Sequence, residues 1–287
     1  MKLTKHFSFL LAVCMIGATA SAQTASGKLA LLKGQKLQVD NNIKSVINQE
    51  MMGQAIEITI DANTIHHLEV KDKKDKSFIV ASTLTKLVTN GNAMGQVISF
   101  DSDKKEDLES ETGKALKDQL NVSKEVELGE NAQVINAVLK EKQTSTGGQL
   151  MDMINNVTGA NGDDSNGANA AFEVMPAGKK VGDAWSDSTI TDEIKTYRNY
   201  KFKEVKDNVA ILELTGRQLT NKKVEQQGME INVTMEGKLS GEGIVDMATG
   251  IIREKTTTLD GTGSAEMMGQ SIPVTTKITT KTTVKSI

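Results

Sequence analysis

A strict alternation of apolar or branched residues with polar residues constrains this chain more than any other feature of its sequence. Between positions 274 and 284, valine, isoleucine and threonine occupy every second position, and Lys277 and Lys281 lie between them. Positions 55–60 alternate in the same way. Because successive side chains of a strand point to opposite faces of a sheet, this pattern predicts half-buried β-strands. It predicts further strands over 78–84, 96–101, 209–214, 230–236, 243–246 and 251–259.

One segment, residues 104–120, has a helical period instead. Leu108 and Leu116 recur on one face of this segment, and Asp103 with Glu106 fits the pattern of a capping box. The sequence therefore predicts a helix over 104–120 that packs on the sheet through its leucines. The fold class that we expect is mainly β, of the α+β type, with one or two packed helices.

The strand-rich part of the chain divides into two halves of similar length, residues 23–143 and 172–287. The segment between them, 144–171, is rich in small polar residues that bury too little apolar surface to offset the entropy of ordering. We expect it to be a flexible linker that contains a short helix. Residues 67–101 and 200–236 share the order strand, charged turn, strand, Met-Gly turn, strand, which is typical of an internal repeat. The sequence thus predicts two related halves, each a curved antiparallel sheet.

The amino terminus has the features of a secretory signal peptide. Lys2 and Lys5 precede an apolar run at 7–17, and an A-x-A site follows at 20–22. We expect removal of residues 1–22 and export of the mature chain. The mature protein would then be periplasmic or extracellular, either free or associated with the outer membrane.

Composition excludes several classes of function. Aromatic residues make up only 3% of the chain, which leaves few rings to stack on bases or sugars. Removal of the signal takes away two of the 34 Lys and Arg and none of the 37 Asp and Glu, so the net charge becomes −5. A mildly acidic chain without a basic stripe is not expected to bind nucleic acid. The single cysteine, Cys14, lies within the signal, so the mature chain has no thiol; lipidation of Cys14 is the alternative to cleavage after residue 22.

No motif for catalysis or for a cofactor is present in the sequence. His66 and His67 are neighbours on a predicted strand, so they would point to opposite faces and could not chelate one ion. A Gly-x-Ser-x-Gly elbow is lacking, and Asp163 and Asp164 do not have the spacing of a calcium loop. We therefore expect a protein that is not an enzyme and holds neither a metal nor a cofactor. A hydrolase that uses a pair of acids is kept as a further alternative.

Methionines beside glycines mark the ends of several predicted strands. Met52, Met94 and Met268 each precede a glycine, and their flexible thioethers suit either an irregular core or an adaptable apolar cavity. If a cavity forms between the curved sheet and the helix, these methionines would line it together with Leu108 and Leu116. We expect Ile56, Val97 and Ile272 to face the same space.

Large rings are concentrated at the start of the second half. Tyr200 and Phe202 share one face of a predicted strand, and Trp185 lies close in sequence. Because large rings contribute much of the energy of burial, we expect these residues to form the core of the first hairpin of that half.

Several short motifs occur at predicted turns and strand ends. They are Gly34-Gln35-Lys36-Leu37, Phe100-Asp101-Ser102, Gly182-Asp183-Ala184-Trp185, and Gly241-x-Gly243 followed by Asp246-x-x-Thr249-Gly250. This set resembles an uncharacterised family of secreted and lipoprotein envelope proteins of Bacteroidota-type bacteria, catalogued as a domain of unknown function. The resemblance implies an exported protein and brings no activity with it. In outline, the expected fold is also similar to the lipoprotein-carrier half-barrels of the bacterial envelope, which is an analogy of fold alone.

These observations favour an exported, non-enzymatic envelope protein that binds an apolar ligand or acts as a scaffold. The ligand would be a lipid or another apolar molecule, such as an acyl chain, held between the sheet and the helix. The alternative is a structural or adhesion module whose sheets contact another envelope protein. In either case we expect no integral membrane span in the mature chain.

Overall fold

Twelve antiparallel strands form one open sheet within the part of the chain that the structure describes. A computed structural model describes residues 25–51, 53–93, 95–137, 166–226, 229–267 and 269–287. The strands are β1 (Lys36–Met51), β2 (Gln54–Lys73), β3 (Ser77–Ala93), β4 (Gln96–Asp101), β5 (Ser123–Gly129), β6 (Val134–Ala137), β7 (Ala184–Ile190), β8 (Ile194–Lys206), β9 (Val209–Gln226), β10 (Met229–Asp246), β11 (Ile252–Met267) and β12 (Gln270–Ser286). Their order across the sheet is β6-β5-β3-β2-β1-β12-β11-β10-β9-β8-β7, and β4 pairs with the end of β3 that β5 leaves free.

The helices are short. They are α1 (Lys105–Glu109), α2 (Glu111–Leu116) and α3 (Asn166–Ala171), and a 3-10 turn at Lys117–Gln119 follows α2. In the described ranges, the helices lack the length and apolar character needed to cross a membrane.

The strands confirm the alternation found in the sequence. Ile56 and Ile60 of β2 are buried, whereas Lys277 and Lys281 of β12 are exposed. Seven of the eight strand segments predicted from the pattern lie entirely within strands, the eighth begins one residue before β11, and β4 has the predicted bounds of 96–101. A mainly β fold with packed helices is therefore confirmed.

The two halves belong to one continuous sheet because the first strand pairs with the last. One edge of β1 pairs with β2, and its other edge pairs with β12 over thirteen residue pairs, from Leu37 with Ser286 to Gln49 with Val274. Pairing both edges satisfies the backbone groups that an edge strand would otherwise leave open.

The sheet is strongly curved, as two consecutive backbone hydrogen bonds demonstrate. The N–H of Leu29 donates to the carbonyl of Glu130 after β5 (2.6 Å), and the N–H of Ala30 donates to Thr249 between β10 and β11 (3.0 Å). In a flat sheet, the six strand spacings between β5 and β10 would separate these carbonyls by about 29 Å. Because the two carbonyls accept hydrogen bonds from the adjacent residues Leu29 and Ala30, they lie within about 10 Å of each other. Residues 25–31, here called the closing segment, therefore bridge the two halves at one end of the curved sheet.

Glycines occupy positions in the second half where a side chain would not fit. A Cβ on Gly241 would lie 2.3 Å from the carbonyl oxygen of Thr256, and one on Gly263 would lie 2.0 Å from that of Thr234. Glycine within a strand is typical of sharp bends in curved sheets. These two glycines therefore permit the close approach of β10 and β11 in the bent sheet.

Two apolar clusters lie on the same face of the sheet, which we call the inner face. The first cluster lies beneath the closing segment and includes Val126 and Leu128 of β5 as well as Tyr200 and Phe202 of β8. It draws on both halves of the chain. The second cluster lies beneath α1 and α2 and contains Ile56, Ile58, Ile60, Leu87, Phe100, Leu116 and Leu120.

The helix predicted over 104–120 is interrupted at Ser110. The hydroxyl of Ser110 accepts a hydrogen bond from the N–H of Gly113 (3.0 Å) and so begins α2. Asp103 does not cap α1 but instead forms an ion pair with Lys86. The prediction of one continuous helix that begins with a capping box is therefore wrong. The side chain of Ser110 caps a new helix, and such a side chain competes with the hydrogen bonds of the helical backbone.

The end of the predicted linker is part of the core. Asn166–Ala171 forms α3, in which Ala168 and Ala171 are fully buried, so the prediction of a flexible linker does not hold for these residues. Small side chains allow this close packing, because a Cβ on Gly167 would lie 2.7 Å from the ring of His66. Residues 144–165 and the predicted signal at 1–22 lie outside the described residues.

Candidate functional site

The predicted site residues fall into two groups in the structure. Leu116 is fully buried and Leu108 packs beside it in the second cluster, beneath the short helices. The side chains of these leucines thus lie between the sheet and the helical segment, and their part in binding a ligand stays a prediction. Met52, Met94 and Met268 lie outside the described residues.

The orientation of the neighbouring strand residues agrees with the prediction except at Val97. Ile56 is buried and Ile272 is half-buried, but Val97 is 70% exposed. The phase of β4 explains the difference, because fully buried Phe100 and partly buried Ile98 take the inner positions of this strand. Val97 therefore points outward.

Between the two apolar clusters, a row of polar side chains crosses the inner face. Lys255 pairs with Thr282, Thr282 with Asn41, and Asn41 with Thr64, on four neighbouring strands. The hydroxyl of Thr282 donates to Asn41 Oδ1 (2.7 Å), and Asn41 Nδ2 donates to Thr64 Oγ1 (3.4 Å). All three of these residues are buried, so their hydrogen bonds satisfy groups that water cannot reach.

Three other buried hydroxyls on the same face have no hydrogen-bond partner within the part of the chain that the structure describes. Ser45 Oγ, Thr89 Oγ1 and Thr276 Oγ1 make no hydrogen bond, although the residues are only 2%, 0% and 8% exposed. We call these three groups the hydroxyl band. Unsatisfied buried polar groups are uncommon, and a bound ligand or water is one reason for their presence. Sequence reasoning missed the band, since a serine or threonine on a strand gives no sign of its hydrogen bonds.

His66 lies two residues beyond Thr64 on the same face of β2. It is buried on the inner face, and His67 is exposed on the other, which confirms that the two side chains point to opposite faces. Burial lowers the pKa of His66 to about 4. The imidazole is therefore neutral at neutral pH, and in the described ranges His, Cys, Asp and Glu form no group of three that could hold a metal.

An ion pair and a tyrosine hold the segment after α3 against β8 and β11. Lys255 Nζ lies 2.8 Å from Glu173 Oε2, and both side chains are largely buried. The pKa of Tyr200 is raised, chiefly by burial and also by the charge of Glu173, to which it is hydrogen-bonded. Trp185 stacks on Tyr200 with ring centroids 5.3 Å apart, and Phe202 is fully buried. The expected aromatic core of this hairpin is thus confirmed.

A groove of about 560 Å³ opens on the outer face of β8 to β11. Its floor follows one row of paired residues, Lys195, Leu219, Glu236 and Thr262. The turn at Asp192 forms a wall. The volume is ordinary for a binding site, but the lining mixes charges of both signs with a single large apolar side chain in that row.

A protein-family model described as "Family of unknown function (DUF6263)" matches residues 75–252, which is more than half of the chain. The chain belongs to this family. The region that matches DUF6263 runs from the turn before β3 to the start of β11, and it includes the helices, Thr89 and the parts of the outer-face groove that come from β8, β9 and β10.

Comparison with other proteins adds little to this assignment. A search of curated proteins found no match. Among solved structures, the COG4313 outer membrane channel from Pseudomonas putida F1 is similar over 91% of this chain and 98% of that chain, with 9% identity and a TM-score of 0.23. At this TM-score the likeness carries no argument about fold or function.

Proposed function

We propose that this member of DUF6263 is an exported, non-enzymatic envelope protein that binds an apolar ligand against the inner face of its curved sheet. The observation that carries the proposal is the hydroxyl band, which lies beside the second apolar cluster. Ile47 packs against that cluster and is next in line to Ser45 on the same face of β1. Apolar surface with a few convergent polar groups is the usual composition of a ligand site.

Export is part of the same proposal. It is supported by the charged start, the apolar run at 7–17 and the A-x-A site at 20–22. A chain without a thiol after this site is suited to an oxidising compartment, because it has no cysteine to protect from oxidation.

The test is uptake of a fluorescent apolar probe by the mature protein, combined with native mass spectrometry of material from its own envelope. Ile47→Trp should place a large ring on the inner face beside Ser45 and lower probe uptake by about tenfold or more. Val46→Trp is the matched control. Because Val46 points to the outer face, this variant should bind the probe like wild type. Wild-type protein that is folded by circular dichroism and takes up no probe would contradict the proposal.

A second candidate function is a structural or adhesion role, and the outer-face groove favours it. Ile190 pairs with Lys195 at the end of the groove floor and is 60% exposed, as suits a surface that meets another protein. If this role is correct, Leu219→Arg should weaken the envelope and release a periplasmic marker. Thr215→Arg, on the same face of β9 outside the groove, should not.

A further inference from the structure

We infer that the ligand carries an uncharged carbonyl head group, as in a neutral ester- or amide-linked lipid, and not a carboxylate or a phosphate. This inference rests on the proposed binding function and names the class of ligand. It follows from the chemistry of the hydroxyl band and from the absence of free charge around it in the described strands.

The first argument concerns the needs of the three hydroxyls. Each can donate one hydrogen bond and accept two, yet Ser45, Thr89 and Thr276 make none with the described residues. A buried donor without a partner destabilises the folded protein. A ligand with carbonyl oxygens would supply the acceptors that these donors lack.

The second argument concerns the position of the hydroxyls on the inner face. Thr276 pairs with Ile47 and Ser45 pairs with Ile278, so the two hydroxyl residues are diagonal neighbours across β12 and β1, about 7–8 Å apart. Thr89 lies two strands beyond β1, and the whole band spans three strand spacings, about 14 Å. This width suits a head group with more than one carbonyl.

The third argument concerns charge. The inner-face positions around the band carry no Asp, Glu, Lys or Arg; they are Val274, Thr276, Ile278, Thr280, Ile43, Ser45, Ile47, Ile60, Ala62, Thr89 and Gly91. On the same face of β11 and β8, two cations are already bound, Lys255 by Glu173 and Arg198 by Asp187. A buried anion without a cation is strongly disfavoured. An anionic head group would therefore find no free counter-charge among these strand positions.

The apolar flanks complete the site. Ile43 and Ile60 are buried beside the band, and Leu87 of β3 lies next to Thr89 on the same face. Acyl chains would lie on these side chains while the carbonyls meet the hydroxyls. The site thus offers hydroxyls to the head group of a neutral lipid and apolar side chains to its acyl chains.

The experiment compares two probes with the same fluorescent acyl chain, one a neutral glycerol ester and the other the free fatty acid, at neutral pH. The ester should bind at least about tenfold more tightly. Thr89→Val and Thr276→Val should each lower the affinity for the ester by about fivefold or more and keep or raise the melting temperature, since each removes an unsatisfied hydroxyl. Thr64→Val is the matched control, because its hydroxyl is bonded to Asn41 and its loss should lower the melting temperature.

The outcomes separate this inference from the proposed function. If the fatty acid binds as tightly as the ester, or if the valine variants bind the ester unchanged, the inference is wrong and apolar binding stands. If neither probe binds to the folded protein, the proposed function itself is wrong.

Discussion

The hydroxyl of Thr282 donates a 2.7 Å hydrogen bond to the side-chain carbonyl of Asn41, a residue 241 positions earlier in the chain. The bond crosses the pairing of β1 with β12, where the beginning and the end of the described chain join. Both residues are buried, so a shift of register by one residue would expose them and bury their polar neighbours. This contact therefore helps to specify how the two halves combine.

Loss of this hydrogen bond should destabilise the protein. Thr282→Val leaves the Asn41 carbonyl buried without its donor, and we expect the free energy of unfolding to fall by about 1–3 kcal/mol. Thr275→Val is the control, because Thr275 is exposed on the same strand and its change should stay within about 0.5 kcal/mol. Urea unfolding measures both values. Equal effects of the two substitutions would show that the Thr282 bond adds nothing.

Stability should depend on pH through His66. Its pKa is about 4 in the folded protein and 6.5 in the unfolded chain, so the unfolded state binds a proton first as the pH falls. The stabilisation is complete above pH 6.5 and is lost between pH 6.5 and 4, by about 3 kcal/mol. His66→Gln should flatten this part of the stability curve. His67→Gln, on the exposed face, should retain the wild-type pH profile; if it flattens the curve equally, the assignment to His66 fails.

Two glycines on the same face of β10 should differ sharply in their tolerance of alanine. Gly241→Ala places a Cβ 2.3 Å from the carbonyl oxygen of Thr256, and we expect a loss of stability of more than about 2 kcal/mol. At Gly243 the nearest atom is a side-chain carbon of Lys255 at 3.8 Å. Gly243→Ala should be neutral or stabilise by up to about 1 kcal/mol, because it restricts the unfolded chain. Thermal unfolding of the two variants tests the bend, and similar melting temperatures would argue against it.

Export should leave a defined amino terminus. If residues 1–22 are a signal peptide, protein from the envelope should begin at Gln23. Amino-terminal sequencing or intact-mass measurement checks this. A chain that begins at Met1, or at an acylated Cys14, would contradict cleavage by this route.

Much of the local structure could be predicted from residue order. Alternation located the strands and the buried face of Ile56 and Ile60, because the side-chain period of a strand is fixed by its backbone. The same reasoning placed Leu116 between the sheet and a helix. It failed at Val97, because the face that a short strand buries depends on the strands and helices packed around it. It also failed at Ser110, because the side chain of this residue caps a new helix and so interrupts the predicted one.

The candidate site was much less visible in the sequence. Thr275 and Thr276 are adjacent threonines of one strand, yet the first is exposed and the second is buried with an unpaired hydroxyl. Alternation could assign the two residues to different faces. Whether the inner hydroxyl finds a partner depends on side chains brought in by other strands, which the sequence of β12 does not contain.

The sequence by itself determined the β-rich class, the strand positions and the features that indicate export, since each follows from short-range pattern. Only the tertiary structure decided that β1 pairs with β12, that the closing segment joins Glu130 to Thr249, and that α3 packs on His66. The physical reason is that hydrogen bonds between strands use the backbone, which is nearly the same at every residue. Partners far apart in the chain are therefore selected by the combined packing of the whole sheet, and no local pattern records that choice.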